Sequence, residues 1–299
     1  MSTPKFVELQ SSGLSAAIDP HGAQLQWLHT ASGQALLWPG DPSSWPDHAL
    51  ILFPVIGPLV GGVFRHRGKE YPMPPHGFAH RSNFAVAEQA ADRCVFELRD
   101  SAETRQSYPF AFTLRVAYTL SATSLQNIIA VENRDSQPMP ADVGFHPGFN
   151  WPLTPELTKD NYLIVFEKDE PAPIRRGTGD PIFLYPEERP TPVEGRILRL
   201  RDELFVDLPI VFDRLNSRSV TYGAPGHLGL RVDFPGSPAL SLWMIPGARY
   251  ICIEPWQGYP SRLDFTGPFI EKPGVAIIQP GETRSWRLGV TPIAFEAPA

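Results

Sequence analysis

The sequence predicts an all-β chain folded as a large antiparallel sandwich or barrel. Three observations carry this. Period-2 alternation of apolar and polar residues dominates. Helical periodicity is nearly absent, with no i, i+3, i+4, i+7 stripe lasting beyond two turns. Turn-forming clusters ("SSG", "ASG", "VGG", "RDSQPMP", "GAPG", "FPGSP", "IPGA", "QPGE") punctuate the alternating runs at close spacing. Many short strands so arranged imply two packed sheets or a closed one.

The elements follow in chain order. "RCVFELRD" (93–100) is a strand candidate. "FTLRVAYTL" (112–120) places Phe112, Leu114, Val116, Tyr118 and Leu120 on one face and Thr113, Arg115, Ala117 and Thr119 on the other. "SLQNIIAVEN" (124–133) and "YLIVFEKD" (162–169) follow. "HLGLRVDF" (227–234) repeats the alternation through Leu228, Leu230, Val232 and Phe234. "ALSLWMI", "YICIE" and "TRSWRLGV" complete the set. The proline-rich stretch 170–195 contains Ile182, Phe183, Leu184 and Tyr185, so it reads as a long surface excursion rather than a linker. No repeat of fixed period is present, and residues 1–299 are read as one domain.

Composition narrows the function classes. Hydrophobic residues make up 42% and charged residues 19%, enough for a large core and against global disorder. A net charge of −6, with only short basic spots at 64–69 and 174–177, argues against nucleic acid as a partner. The first residues lack an apolar signal-peptide core and no 18-residue apolar run exists, so no membrane association and a cytoplasmic location are expected. Cys94 and Cys252 form no CxxC pair, which excludes a zinc ribbon or redox motif; two buried thiols are expected.

Three segments concentrate titratable residues among glycine, proline and aromatics: "PPHGFAHRSNF" (74–84), "DVGFHPGFNW" (142–151) and "CIEPWQGYPSR" (252–262). His146 and Glu254 each precede a proline, which biases them toward extended backbone and limits the entropy lost in positioning them. Along "YICIE", Glu254 shares a face with Tyr250 and Cys252, opposite Ile251 and Ile253. Flanked by Ile253 and Trp256, its carboxylate would be partly desolvated and suited to act as a general base, and a salt-bridged carboxylate at a strand end stays open beside that. His146, whose side chain titrates near neutrality, suits a general acid, and a packed core imidazole stays open beside that. His76 could donate a hydrogen bond to a substrate or bond local backbone. Aromatics such as Phe145, Trp151 and Trp256 suit the C–H faces of a sugar and equally suit a β core.

Other chemistries fit less well. No HxH or HExxH pair marks a metal site, and no metal or cofactor is expected. GxSxG and P-loop motifs are absent. A glycosidase needs two carboxylates across the bond, and only Glu254 has a persuasive setting.

Taken in order, the three segments resemble the aldose 1-epimerase (galactose mutarotase) family, in its bacterial mutarotase-like branch, which shows "HGFAR"-, "GFHPYF"- and "CIEPW"-like segments. Flanking stretches agree, including "LFPVIG", "GKEYPMPPHGF", "VFDRLNSRSVTY" and "QPGET", so the likeness spans nearly the whole chain. The resemblance implies a galactose mutarotase-like β-sandwich with a sugar cleft on one sheet, and cofactor-independent interconversion of α and β anomers. It implies Glu254 as general base and His146 as general acid, with His76 holding and polarising the sugar; Arg81 and Trp256 are taken as further substrate-binding residues. The small-molecule sugar is the implied partner, for a monomer or homodimer.

Several positions depart from the branch. Pro58 and His80 stand where it commonly has arginine, which makes a 6-phosphate substrate less expected unless Arg65 or Arg81 compensates. Asp213 and Asp207 are candidates for an assisting aspartate. Gly148 replaces a frequent aromatic, implying a roomier wall beside His146. Two alternative functions are carried forward: a non-catalytic carbohydrate-binding β-sandwich and a hexose-6-phosphate 1-epimerase.

Overall fold

A computed structural model describes residues 6–296. Two antiparallel sheets dominate. The nine-stranded sheet runs, edge to edge, through Ile197–Arg199, Leu163–Phe166, Ser219–Gly223, Leu228–Asp233, Thr283–Ala294, Leu125–Asn133, Phe112–Leu120, Arg93–Arg99 and Ala85–Gln89. The seven-stranded sheet runs through Phe183–Leu184, Arg175–Thr178, Ile210–Phe212, Ala239–Trp243, Tyr250–Gln257, Val143–Asn150 and Ala49–Leu52. Smaller sheets include a three-stranded one of Val7–Gln10, Leu14–Asp19 and Gln24–Thr30, and helical structure among the described residues is limited to short 3-10 turns. The all-β sandwich expected from alternation is what forms.

Alternation also places the core. Phe112, Leu114, Val116, Tyr118 and Leu120 are all buried on one face of their strand. On the seven-stranded sheet, Phe145 and Phe149 turn inward and line a small gap with Leu125, Leu288 and Val290 of the larger sheet. The buried apolar cluster continues from Val7 to Val290. Each such aliphatic or aromatic side chain contributes about 1.5–3 kcal/mol when withdrawn from water. Cys94 and Cys252 are free and buried, as expected.

The proline-rich stretch 170–195 lies mostly at the surface, as expected, but it is not all loop. Arg175–Thr178 and Phe183–Leu184 form the edge of the seven-stranded sheet, and Ile174 and Leu184 are buried. Alternation was too short there to show it: the two strands have four residues and two.

One ion pair is fully buried. Lys272 Nζ donates to Asp142 Oδ2 at 2.8 Å, with side chains 1% and 0% exposed, and also donates to the Tyr259 carbonyl. Asp142 Oδ2 accepts from Ile56 N–H at 3.3 Å, and Asp142 N–H donates to the Pro54 carbonyl. The pair thus ties segments 54–57 and 259–260 to the start of the His146 strand. Burial pushes the Asp142 carboxyl up, and the ammonium opposes that. A buried charge stripped of its partner is costly. Lys272→Met is expected to lose roughly 3–5 kcal/mol in chemical denaturation, and Asp142→Asn added to it should recover part of the loss. A loss below about 1 kcal/mol, the range of an exposed pair, would contradict this.

Candidate active site

The site grows from strand register. Val143–Asn150 pairs with Tyr250–Gln257 through Gly144↔Trp256 and Gly148↔Cys252. The register is the same on both sides, so His146 stands opposite Glu254. Pro147 and Pro255 have no N–H to give the ladder here. Glu254 is also opposite Ser241, and His146 opposite Leu50. Ser241, Glu254, His146 and Leu50 therefore form one row across four strands, and by alternation His146 is on the opposite face from Phe145. Trp243, Cys252 and Gly148 form the next row on one side; Ala239, Trp256, Gly144 and Leu52 form the next on the other.

The two glycines of "GFHPG" have a steric role. A Cβ on Gly148 would lie 2.6 Å from Trp45 Cζ3, and one on Gly144 would lie 2.5 Å from Trp256 Cδ1. Removing both side chains lets an indole settle on each side of His146. The expected roomier wall at Gly148 is thus absent, because Trp45 fills it. Its ring lies 5.0 Å from the His146 ring at 32°, while Trp243 meets His146 edge-on at 5.6 Å. His76 closes a third side at 5.8 Å.

Glu254 is 1% exposed and His146 7%. His146 Nε2 lies 3.1 Å from Glu254 Oε2. That contact is not aligned as a hydrogen bond, and among the described residues neither Glu254 Oε2 nor His146 Nδ1 has a hydrogen-bond partner. Glu254 Oε1 accepts a long bond of 3.5 Å from the Ser241 hydroxyl. Burial disfavours the charged form of each, lifting the Glu254 carboxyl well above its ordinary 4.5 and pushing the His146 imidazole well below 6.5. Both shifts favour a pair that shares a single proton.

His76 adopts φ +63° at the tip of "PPHG". Its Nδ1 accepts from Gly57 N–H at 3.2 Å, and its own N–H donates to the Gly57 carbonyl. Burial, then the charge of Arg81, pushes it down to about 4. At neutral pH it is an uncharged ring whose Nδ1 is an acceptor, so its hydrogen sits on Nε2. Burial lowers His80 to about 3, and its Nε2 accepts from Arg81 Nε at 3.0 Å.

His76, Arg81, His146, Glu254 and Trp256, five residues spread from 76 to 256, all line one cleft of about 330 Å³. Trp45, Asp47, Asp180, Ser241 and Trp243 line it too and escaped the sequence reading. Asp47 and Asp180 sit in loops whose approach to the sheet is set only by tertiary packing. Trp243 and Ser241 had a legible signal, since they alternate with Leu240 and Leu242 along "ALSLW".

The other candidates fall elsewhere. Asp213 is held by Arg175 at 3.0 Å, and Asp207 lines a separate surface groove. Arg65 is held by Glu70 at 2.9 Å and by the Val60 carbonyl, outside the cleft, so it does not replace the arginine lost at position 58. Arg81, exposed at the rim, is the only lysine or arginine among the described residues lining the cleft.

Comparison with known proteins agrees with this architecture. The aldose 1-epimerase family model matches residues 5–291. The plasmid-encoded protein LacX of Lactococcus lactis subsp. lactis is 31% identical over 294 residues, covering 95% of this chain and 98% of its own. A galactose mutarotase-like protein from Lactobacillus casei ATCC 334 superposes with a TM-score of 0.89 at 30% identity, over 96% of this chain and 100% of that one. A galactose mutarotase related enzyme from Lactobacillus acidophilus gives 0.88 at 27%, over 98% and 99%. Family model, relatives and fold coincide over nearly the whole chain, and the protein belongs to the aldose 1-epimerase family.

Proposed function

We propose that the protein is an aldose 1-epimerase that interconverts the α and β anomers of an unphosphorylated aldose. The observation that carries this is the buried His146–Glu254 pair, 3.1 Å apart in the wall of a sugar-sized cleft. Opening a cyclic hemiacetal requires one proton to leave O1 and one to reach the ring oxygen. With the shared proton on His146 Nε2, Glu254 takes the O1 proton, the C1–O5 bond breaks as the C1=O1 bond forms, and His146 Nε2 protonates O5. Rotation about C1–C2 presents the other carbonyl face. His146 then takes back the O5 proton, O5 attacks C1, and Glu254 returns a proton to O1. One shared proton suffices for the cycle.

The remaining groups suit holding a neutral sugar. His76 offers Nε2–H, and the buried Trp256 Nε1–H has no acceptor among the described residues. Trp45 and Trp243 present flat apolar surface. Asp47 and Asp180 stand at the cleft with Arg81, and a phosphate would meet their carboxylates beside only one guanidinium. This disfavours the hexose-6-phosphate alternative. The aromatic walls would serve a non-catalytic sugar-binding module equally well, so the test must separate turnover from binding. Polarimetry on freshly dissolved α-glucose and α-galactose is expected to show faster decay of rotation with enzyme. Calorimetric binding with no acceleration would instead favour the binding module.

The proton count also sets a pH profile. Going acid, the pair gains a second proton only below the ordinary histidine value, because burial lowers His146. Going alkaline, it loses its one proton only above the ordinary carboxyl value, because burial raises Glu254. These apparent values belong to the pair rather than to either residue. With a chelator present, the acid limb of kcat/KM is expected to be centred below pH 6.5. An acid limb centred at or above 6.5 would contradict the shared-proton arrangement.

A further inference from the structure

Cys252 has no part in the chemistry above, yet it lies beside it. It is two residues before Glu254 on the same strand face, and it is paired in register with Gly148 and Trp243. One ligand atom each from His146, Cys252 and Glu254 lies within 4.8 Å of the others, and all three residues are buried. Glu254 Oε2, in a side chain 2% exposed, has no hydrogen-bond donor among the described residues. An imidazole nitrogen, a thiolate and a carboxylate are a zinc donor set, and three protein ligands leave a fourth position open.

We propose that this triad is a site for a thiophilic divalent cation, zinc in the first place, and that occupying it switches the enzyme off. The inference rests on the acid–base reading only for its inhibitory part. Tetrahedral zinc with ordinary bond lengths holds its donors about 3.3–3.6 Å apart. The His146–Glu254 distance is already near this, and the sulfur need close by only about 1 Å. Charge favours the complex as well. A thiolate and a carboxylate cancel the dication, and the imidazole stays neutral, so the buried unit carries no net charge. Soft sulfur and imidazole donors disfavour magnesium and calcium, which take oxygen. The fourth position faces the cleft, because His146 and Glu254 line it and Cys252 does not. A cation there engages the imidazole lone pair and the carboxylate together, leaving neither free to exchange a proton with sugar. No local spacing motif marks the site, because its ligands come from two strands brought together by register.

Cobalt(II) tests the site without relying on turnover. Added to the full-length protein, one equivalent is expected to give the near-ultraviolet thiolate-to-cobalt band, lost in Cys252→Ala and Cys252→Ser and kept in Cys94→Ser. Absence of the band in the wild type, or its survival in both Cys252 variants, would overturn the site. With zinc, one equivalent is expected to slow wild-type mutarotation about tenfold or more, reversibly by chelator, while Cys252→Ala without zinc turns over as wild type does and resists zinc. Equal inhibition of wild type and Cys252→Ala would overturn the switch. A cobalt band in a protein that accelerates no sugar would uphold the site and count against the enzymatic reading instead.

Discussion

Glu254→Gln is expected to lower kcat for mutarotation by about 10²–10⁴-fold, the usual contribution of a placed base, while leaving sugar binding nearly intact. The amide has the size of the carboxyl and can still accept from the Ser241 hydroxyl, which reaches Glu254 Oε1 at 3.5 Å. It cannot take the O1 proton. Because the wild-type side chain is buried and its charged form is disfavoured, the neutral replacement should not destabilise the sheet. A stopped-flow polarimetric rate within threefold of wild type would remove Glu254 from the mechanism.

His146→Asn is expected to cost a similar factor, about 10²–10⁴ in kcat. The imidazole sits between Trp45 and Trp243 with His76 on a third side, so a smaller side chain leaves a gap that those rings can partly close. The more telling measurement is the double variant. Groups that act as one unit are not additive, since the first loss already removes the joint effect. His146→Asn with Glu254→Gln is expected to be about as slow as the worse single variant. Losses that multiply would mean that the two residues act on separate steps, which a shared proton does not allow.

Much of this was legible in the residues, for identifiable reasons. Alternation is a local property, so "FTLRVAYTL" declared both its strand and its buried face. The two residues before proline, His146 and Glu254, declared extended backbone, and the register then set them opposite one another. Side chains delivered by loops were not legible. Trp45 reaches the site from the segment before the Ala49–Leu52 strand, and Asp180 from the turn between two very short edge strands. Gly148 shows the limit most clearly. The missing side chain was readable, but the indole that replaces it comes from a hundred residues away, and only packing reveals that the wall is full. Arg65 is the converse case, a plausible substitute by charge that Glu70 holds outside the cleft.

Anomer exchange at equilibrium tests the acid–base pair most directly. Magnetisation transfer between the C1 protons of the α and β forms, recorded over a panel of neutral aldoses, needs no net reaction and no coupled assay. For at least one sugar that the cleft binds, the exchange rate is expected to rise in proportion to wild-type enzyme and to return to the buffer rate with Glu254→Gln at equal concentration. Binding of sugars with exchange at the buffer rate throughout, or equal acceleration by Glu254→Gln, would contradict it.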